Sequence, residues 1–494
     1  MVKVIGIIVV LAIAALLSFL TCKSKTSDLF KWVGIGIFIA FALTWVIPYG
    51  YFQNGTFYDY QMTRLGLTDI PNILYYGVYF GLTTIIYLLV LGGFYGVVSK
   101  TNSYQALVKK TAKLVKGKEI LVSTILMVLF IGLASIIRAP FALLVFVPFV
   151  VSVLLNAKFD KLTTMAVTFG SILVGTLAAT YGTDGLYYFN NYLNVTDITI
   201  GLTYRAILGV IALALFIGYN IFRIVRLKKK NKKQANDLDV DVYAVEEVKG
   251  KTKVWPAIVV FAFLAVIIIL GYVDWSKNFG IECFNDFHKW FVDLTVGEDF
   301  KIFGNILGSG NVAFGSFELG TMVTILLIVS LVVALMNRIK FNDYAADFAD
   351  GLGKIIKPAL LFALTYVMFM ISYMNPVMAA ASDWAFGLTK TFNPFITTIT
   401  AFVTSIFHAD LGYTAYIVGS VLSTTYAANF DLVHTLYVAT YGLVQVFVPT
   451  SGLLLIGLSY LKIDYKSWFK YIWIFAVAMF VVLFAFAAIV TYAL

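Results

Sequence analysis

Three side chains that could do chemistry interrupt segments that are otherwise apolar. Arg138 lies near the middle of residues 119–155, and His408 and Asp410 lie within residues 393–425. Ionised groups inside a membrane are costly, so they usually face a cavity or a partner. Arg138 could bind a carboxylate, while Asp410 could hold an amine, a proton or a cation; alternatively, the two form a structural ion pair. Histidine in general titrates in a range suited to proton coupling, which makes His408 a candidate for that role, although a lone histidine is often only structural.

Two short polar stretches provide a second set of candidates. "ATYGTDG" spans residues 179–185 and "VPTSG" spans residues 448–452, and a break of this kind exposes backbone groups; a plain helix kink is the alternative at the second stretch. The further residues expected to contact a solute are Ala139, Pro140, Tyr181, Gly182, Thr183, Gln445, Thr450, Ser451 and Gly452. A coupling sodium ion could bind near Asp410, Thr450 and Ser451. A proton is the other candidate for coupling, and no further cofactor is expected.

The composition defines the surroundings in which these residues must be placed. The chain of 494 residues is 61% hydrophobic and 13% charged, with a mean hydropathy of +0.90, whereas a soluble globular domain carries about 25% charge. Apolar runs long enough to cross a bilayer recur along the sequence. We therefore expect a multi-pass protein of the cytoplasmic membrane, surrounded by the lipid bilayer.

The distribution of Lys and Arg predicts the topology. The run "RIVRLKKKNKKQ", residues 223–234, is taken as cytoplasmic because basic residues favour inner loops. If both interrupted segments are re-entrant hairpins, most of the 36 Lys and Arg residues fall in inner loops, and only a few, Arg205 among them, fall in outer loops. The acid-rich residues 237–247 are expected to form a solvated tether. The net charge of +10 follows from this topology and gives no reason to expect a nucleic-acid partner.

The two halves of the chain repeat the same order of elements. Each has scaffold helices, an interrupted hairpin, a helix and a polar break, and the interval from Arg138 to Gly182 equals that from His408 to Gly452. The hairpins enter from opposite sides, an arrangement typical of secondary transporters. The predicted fold is all-α: a polytopic membrane protein with two inverted repeats, each containing a re-entrant helical hairpin and a discontinuous helix. The predicted divisions are N-terminal transmembrane helices in residues 1–71, a first repeat in 72–222 with the hairpin 119–155, a cytoplasmic charged linker in 223–254, a linking helix and outer loop in 255–317, and a second repeat in 318–494 with the hairpin 393–425.

Two longer stretches resemble a known family. They are "GGFYGVVSKTNSYQALVKKTAKLVKGKEILVSTILMVLF", residues 92–130, and "VFVPTSGLLLIGLSYLKIDYKSWFKYI", residues 446–472. Both are similar to the ion transporter superfamily, most closely to its branch of C4-dicarboxylate anaerobic carriers and basic amino acid antiporter-like proteins, and more distantly to the p-aminobenzoyl-glutamate transporters. The resemblance implies a scaffold domain, a mobile transport domain that holds both hairpins, an elevator-type movement and, usually, a homodimer. The hairpin tips "ASIIRAP" and "FHADLGYT" depart from the tips of close relatives, so the family's substrates are not carried over.

These features predict a secondary active transporter of the elevator type. Its solute would be a small carboxylated molecule, moved by coupling to an ion gradient or by exchange. An amino acid or short peptide is favoured because Arg138 and Asp410 together suit a zwitterion; a C4-dicarboxylate or another organic anion is the alternative. A channel or a membrane-embedded enzyme is the alternative of another class. An enzyme is not expected, since the sequence shows no nucleophile-base pair or metal motif, and a channel is disfavoured because paired hairpins build a closed site.

Overall fold

The computed structural model describes residues 29–60, 64–229, 243, 252–297, 300–308, 310–389, 391–407 and 410–493. The helices are α1 Leu29–Leu43, α2 Ile70–Val98, α3 Asn102–Val115, α4 Glu119–Ile136, α5 Val147–Asn156, α6 Lys161–Leu177, α7 Asp184–Tyr192, α8 Leu202–Lys229, α9 Trp255–Tyr272, α10 Trp275–Phe279, α11 Cys283–Val292, α12 Ile302–Leu307, α13 Leu319–Met336, α14 Phe341–Met374, α15 Val377–Phe386, α16 Pro394–Phe407, α17 Leu411–Thr424, α18 Phe430–Gln445, α19 Gly452–Tyr460 and α20 Tyr465–Tyr492. Within the described residues, seven helices are long and apolar enough to cross a membrane: α2, α4, α8, α9, α13, α14 and α20. The all-α, multi-pass membrane fold expected from the sequence is confirmed.

Two short β-ribbons lie in the connections between helices. β1 Gly50–Gln53 pairs antiparallel with β2 Thr56–Asp59. Asn54 and Gly55 join these strands with positive φ at both positions, as a type I′ hairpin turn requires. β3 Thr295–Val296 pairs with β4 Phe300–Lys301. The predicted outer loop between α9 and α13 therefore contains regular secondary structure: this second ribbon and the short helices α10 to α12.

The helices α2 and α14 pack against each other along most of their lengths. Glycines allow their backbones to approach closely, since a Cβ atom at Gly77 would lie 2.8 Å from Val367 Cα and one at Gly96 would lie 2.7 Å from Gly351 Cα. The helix α1 packs on α14, and α13 packs on α2. The α2 and α14 pair is thus a closely packed unit, and α1 and α13 each pack on a different member of it.

The helices that flank the linker define two faces of the molecule. Arg223 near the end of α8 and Trp255 at the start of α9 mark what we call the linker face, and the opposite side is the distal face. Thr101, just after α2, and Pro256, in the first turn of α9, line one small cavity. The helix α2 therefore ends at the linker face and starts at the distal face.

The first hairpin consists of α4 and α5, joined through a 3₁₀-helix at Pro140–Val145. The N–H of Arg138 in its tip donates to the carbonyl of Tyr272, 2.8 Å away, at the end of α9. Both α4 and α9 are 18 residues long, about 27 Å as α-helices. The tip is therefore level with the distal end of a membrane-length helix. That this hairpin is re-entrant stays a prediction.

The second hairpin consists of α16 and α17, and residues 408 and 409 at its tip lie outside the described residues. Two contacts show that the hairpins open to opposite faces. Asp160, just after α5, pairs with Arg223 at the linker face, with Oδ1 and Nη2 3.0 Å apart. Ser420 in α17 accepts a 2.9 Å hydrogen bond from the N–H of Gly55, in the ribbon that precedes α2 at the distal face.

Two residues lie in different surroundings from those expected. Tyr243 falls within the predicted solvated tether, but its side chain is buried. Its hydroxyl lies 3.2 Å from the carbonyl oxygen of Gly92 and 3.1 Å from that of Gly351, so the expectation of a solvated tether was wrong at this residue. Arg205, assigned to an outer loop, is instead the fourth residue of α8 and is only 1% exposed. A Lys or Arg count cannot separate an arginine in a loop from one that enters a helix.

Candidate solute-binding site

A cavity of about 350 Å³ lies between the α2 and α14 pair and the two hairpin tips. Its described lining combines hydroxyl, aromatic and apolar side chains with two carboxylates, and contains no Lys or Arg. The polar and aromatic lining residues are Phe80, Thr83, Thr84, Phe141, Thr176, Thr183, Tyr188, Glu318, Phe362, Thr365, Tyr366, Asp410, Tyr441, Gln445 and Ser451. The lining is thus drawn from both repeats.

The first break, between α6 and α7, is hydrogen-bonded to the first hairpin. The carbonyl of Ser135, near the end of α4, accepts from the N–H groups of Thr180 at 3.0 Å and Gly182 at 3.2 Å. Thr183 has a φ of +96°, and its hydroxyl accepts a 3.1 Å hydrogen bond from an N–H in the first turn of α7. The end of α4 and the start of α7 are therefore fixed relative to each other.

The second break, between α18 and α19, is joined to the second hairpin in the same way. The hydroxyl of Thr450 donates to the carbonyl of Ile406, 2.8 Å away, and the Gln445 amide donates to the carbonyl of Ser405 at 3.4 Å. Ser451 caps the start of α19 through its hydroxyl. Each hairpin is thus tied to the discontinuous helix of its own repeat.

Three helices begin at the cavity. Thr183, Asp410 and Ser451 are the N-cap residues of α7, α17 and α19, and all three line the cavity. The first N–H groups of a helix have no partner within it, and the helix dipole places partial positive charge at this end. Such ends bind anions. A carboxylate group of a solute would be stabilised at the starts of α7 and α19, whereas the carboxylate of Asp410 already lies at the start of α17.

Two carboxylates line the same cavity. The Oδ1 atom of Asp410 accepts a 2.8 Å hydrogen bond from the N–H of Gly412, which fixes the carboxylate at the start of α17. Glu318 immediately precedes α13, and its side chain is 70% exposed. Carboxylates can accept hydrogen bonds from an amine or bind a cation. The cavity therefore offers sites for both charges of a zwitterion.

Arg138 lies beside this cavity and lines a smaller one of about 110 Å³. Its Nη2 atom is 3.9 Å from Oε1 of Glu318. The guanidinium carbon lies 5.0 Å from the ring centroid of Tyr187, and the ammonium of Lys277 lies 4.7 Å from the same centroid. Arg138 and Asp410 thus line neighbouring cavities, and Glu318 stands between them.

The structure brings together most of the residues proposed from the sequence. Those that line the central cavity are Ala139, Pro140, Thr183, Asp410, Gln445, Ser451 and Gly452. Tyr181 instead packs against Phe279, with ring centroids 5.3 Å apart. Gly182 sits against the backbone of Ile136, and Thr450 directs its hydroxyl to the hairpin carbonyl described above. His408 lies outside the described residues, so its role, like sodium binding near Asp410, Thr450 and Ser451, stays a prediction.

Sequence reasoning missed several lining residues. Glu318 was overlooked because it ends the predicted outer loop, although an acidic residue directly before an apolar helix is a usable signal. Thr83 and Thr84 form a polar pair within the apolar helix α2, which is a comparable signal. Tyr366 and Tyr441 could not be distinguished from the many other aromatic residues of the chain.

Three comparisons relate the chain to known proteins. An uncharacterized protein of Haemophilus influenzae is 23% identical over 174 residues, which are 35% of this chain and 34% of that protein; the match therefore spans about a third of the relative's length. The crystal structure of the YdaH transporter of Alcanivorax borkumensis aligns with 93% of this chain and 98% of its own, with 9% identity and a TM-score of 0.43. A family model described as the C4-dicarboxylate anaerobic carrier, DcuC, matches residues 1–492. The chain belongs to the C4-dicarboxylate anaerobic carrier family.

Proposed function

We propose that this protein is a secondary transporter of small carboxylate solutes and that the central cavity binds them. The observation that carries the proposal is the meeting of three helix N-termini, capped by Thr183, Asp410 and Ser451, in one cavity. Its volume of about 350 Å³ suits a small molecule, since ligand pockets are typically ~300–1,000 Å³. The solute's carboxylate would lie at the N-terminal starts of α7 and α19.

An amino acid or short peptide is the solute class that we favour. The described lining carries the carboxylates of Asp410 and Glu318 and no Lys or Arg, so an amine on the solute would find two acceptors. Arg138 lies beside the cavity and pairs with Glu318, so the support for an amine-bearing solute comes from the two carboxylates and the helix starts, without Arg138. A C4-dicarboxylate is the second candidate, favoured by the family to which the chain belongs. A dianion would require that the two carboxylates be neutralised by protons or by cations bound with it.

An elevator movement of the two hairpins is the mechanism that we propose. Ser135 and Thr180 join the first hairpin to its discontinuous helix, and Ile406 and Thr450 do the same in the second repeat. Each hairpin would therefore move as a unit with its helix, against the pair of α2 and α14. A homodimer and coupling to sodium or protons complete this proposal.

The test is a thermal-unfolding screen of the purified protein against amino acids, dipeptides and C4-dicarboxylates, with and without sodium, followed by uptake into proteoliposomes. We expect an amino acid or dipeptide to stabilise the protein and to be taken up. Stabilisation and uptake of dicarboxylates alone would replace the favoured solute by the second candidate. The absence of both effects for every carboxylate would refute the proposed function.

A further inference from the structure

Arg205 and Trp468 occupy equivalent positions in the two repeats. Each is the fourth residue of the helix that follows a discontinuous helix, α8 in the first repeat and α20 in the second. Both side chains are almost fully buried, with 1% of Arg205 and none of Trp468 exposed. Both donate hydrogen bonds to backbone carbonyls at the break of their own repeat, and they differ in charge.

The guanidinium group of Arg205 donates hydrogen bonds to the backbone carbonyls exposed at the first break. Its Nε donates to the carbonyl of Ala179 at 2.9 Å and its Nη2 to that of Thr180 at 3.0 Å. Its Nη1 bonds to the carbonyl of Ile200 and lies 3.0 Å from Nδ1 of His434. Its described partners are thus three carbonyl oxygens, which are also the kind of ligand that coordinates a small cation, and one imidazole nitrogen.

At the second break, two neutral side chains donate hydrogen bonds to the exposed backbone carbonyls. The indole Nε1 of Trp468 donates to the carbonyl of Val446 at 2.9 Å, and the hydroxyl of Tyr465 donates to that of Phe447 at 2.6 Å. One arginine in the first repeat thus does the hydrogen bonding that a tryptophan and a tyrosine do in the second. Carbonyls at both breaks accept hydrogen bonds, but among the described donors only that of the first repeat carries a positive charge.

This difference in charge matters because of the helix dipole. The end of a helix carries partial negative charge, which a cation stabilises within the last turn, and exposed helix-end carbonyls at membrane depth are sites where transporters bind coupling cations. Arg205 neutralises the end of α6 permanently, since arginine does not lose its proton in proteins. The end of α18 keeps its negative charge, and its last residue, Gln445, lines the cavity together with Asp410.

We propose that Arg205 is a built-in cation that takes the place of a coupling cation at the first break, so that the transporter binds its coupling cation only beside the second break. The location of the coupling site rests on the proposed function, whereas the role of Arg205 in the first break does not. Replacing the arginine by a neutral residue should create a vacant cation site lined by the carbonyls of Ala179, Thr180 and Ile200.

The test separates charge from hydrogen bonding with two variants. Arg205→Gln keeps donors but removes the charge, and Arg205→Lys keeps the charge. The melting temperature of each purified protein is measured while sodium chloride replaces choline chloride at constant ionic strength, and again with millimolar guanidinium. We expect Arg205→Gln alone to gain stabilisation by sodium or guanidinium beyond that of the native protein. Arg223→Gln, an arginine of the same helix that pairs with Asp160, is the matched control and should gain none.

The outcomes distinguish this proposal from the proposed function, because the unfolding measurement needs no solute. A Gln variant that responds to cations as the native and Lys proteins do would overturn the role of Arg205. If the Gln variant folds in neither sodium nor guanidinium while the Lys variant folds, the role of Arg205 is overturned, because the added cation should have filled the vacant site. A sigmoidal dependence of the native protein's initial uptake rate on sodium or proton concentration would overturn the single coupling site beside the second break.

Discussion

Arg138 and Glu318 approach each other at the boundary between two cavities, with Nη2 and Oε1 3.9 Å apart. The sequence suggested Asp410 as the acidic group associated with Arg138, because both interrupt apolar hairpins. The side-chain geometry instead links Arg138 to Glu318, which immediately precedes α13, and through it to the rim of the central cavity. An ion pair at this position could exchange its carboxylate for that of an arriving solute.

Glu318→Gln should reduce uptake while changing stability little. One partner of the pair is 70% exposed, and ion pairs of this kind contribute ~0–1 kcal/mol. The charge that lines the cavity is nevertheless lost, so the apparent affinity for an amine-bearing solute should fall. Melting temperature and uptake are measured side by side, with Asp293→Asn, which breaks an exposed pair with Lys301, as the control. Native uptake by Glu318→Gln would exclude this carboxylate from solute recognition.

Asp410→Asn should separate the capping role of Asp410 from its charge. Asparagine caps a helix about as well as aspartate, so α17 should remain stable. Hydrogen bonds to charged groups contribute ~1.5–3 kcal/mol, so binding of an amine or cation should weaken roughly 10- to 100-fold. Asp464→Asn, at the N-cap of α20, makes the same change outside the cavity and should bind normally. Equal affinity of the two variants would contradict a role for the Asp410 charge.

The sequence predicted those parts of the site that interrupt apolar segments. The hairpins 119–155 and 393–425 coincide closely with α4 to α5 and α16 to α17, and Thr183 and Ser451 fall at helix starts beside the cavity. Charge, proline, glycine and hydroxyl residues interrupt hydrophobic runs, so a linear pattern is enough to find them.

The neighbours across the fold could not be predicted in this way. The partner of Arg138 depends on where α9 ends and α13 begins in space, and the burial of Arg205 depends on the carbonyls left exposed by the first break. Both are consequences of packing between segments distant in the chain. A residue's type shows that it needs a partner, while the fold decides which one it has.

Gly96→Ala should destabilise the pair of α2 and α14. The new Cβ atom would clash with the carbonyl of Asp347 and lie 2.7 Å from Gly351 Cα, and overpacking typically costs ~1–3 kcal/mol. Gly353→Ala is the matched control, because a Cβ atom there meets nothing within 4 Å. Removing a glycine from a helix interior should even stabilise that variant by up to about 1 kcal/mol. Thermal unfolding that ranks the two variants in the opposite order would argue against the close approach.

Tyr243→Ala should destabilise the protein although the residue lies in a charged linker. The tyrosine ring lies 5.3 Å from that of Tyr95 and 6.3 Å from that of Tyr460, so truncation leaves a cavity and should cost ~3–5 kcal/mol, as for other large aromatic residues. Tyr243→Phe should cost only about 1 kcal/mol through the lost hydrogen bond. Tyr492→Ala, at an exposed position, serves as the control in thermal unfolding. If Tyr243→Ala melts at the same temperature as the native protein, Tyr243 is not buried and belongs to the solvated tether expected from the sequence.

The orientation in the membrane can be tested with cysteines near the pair of Asp160 and Arg223, whose 3.0 Å contact places the two loops on one face. Lys158→Cys and Arg226→Cys, each made in a background with Cys22→Ser and Cys283→Ser, should be shielded from an impermeant maleimide in intact cells and labelled after permeabilisation. Both positions are exposed to solvent or lipid in the fold, so burial would not explain shielding.

The native Cys283, exposed in the predicted outer loop, should be labelled in intact cells when it is retained and is therefore the positive control. Labelling of both introduced cysteines with protection of Cys283 would reverse the orientation, and labelling of Lys158→Cys alone would break the topology, because the two residues could then not lie on the same side of the bilayer.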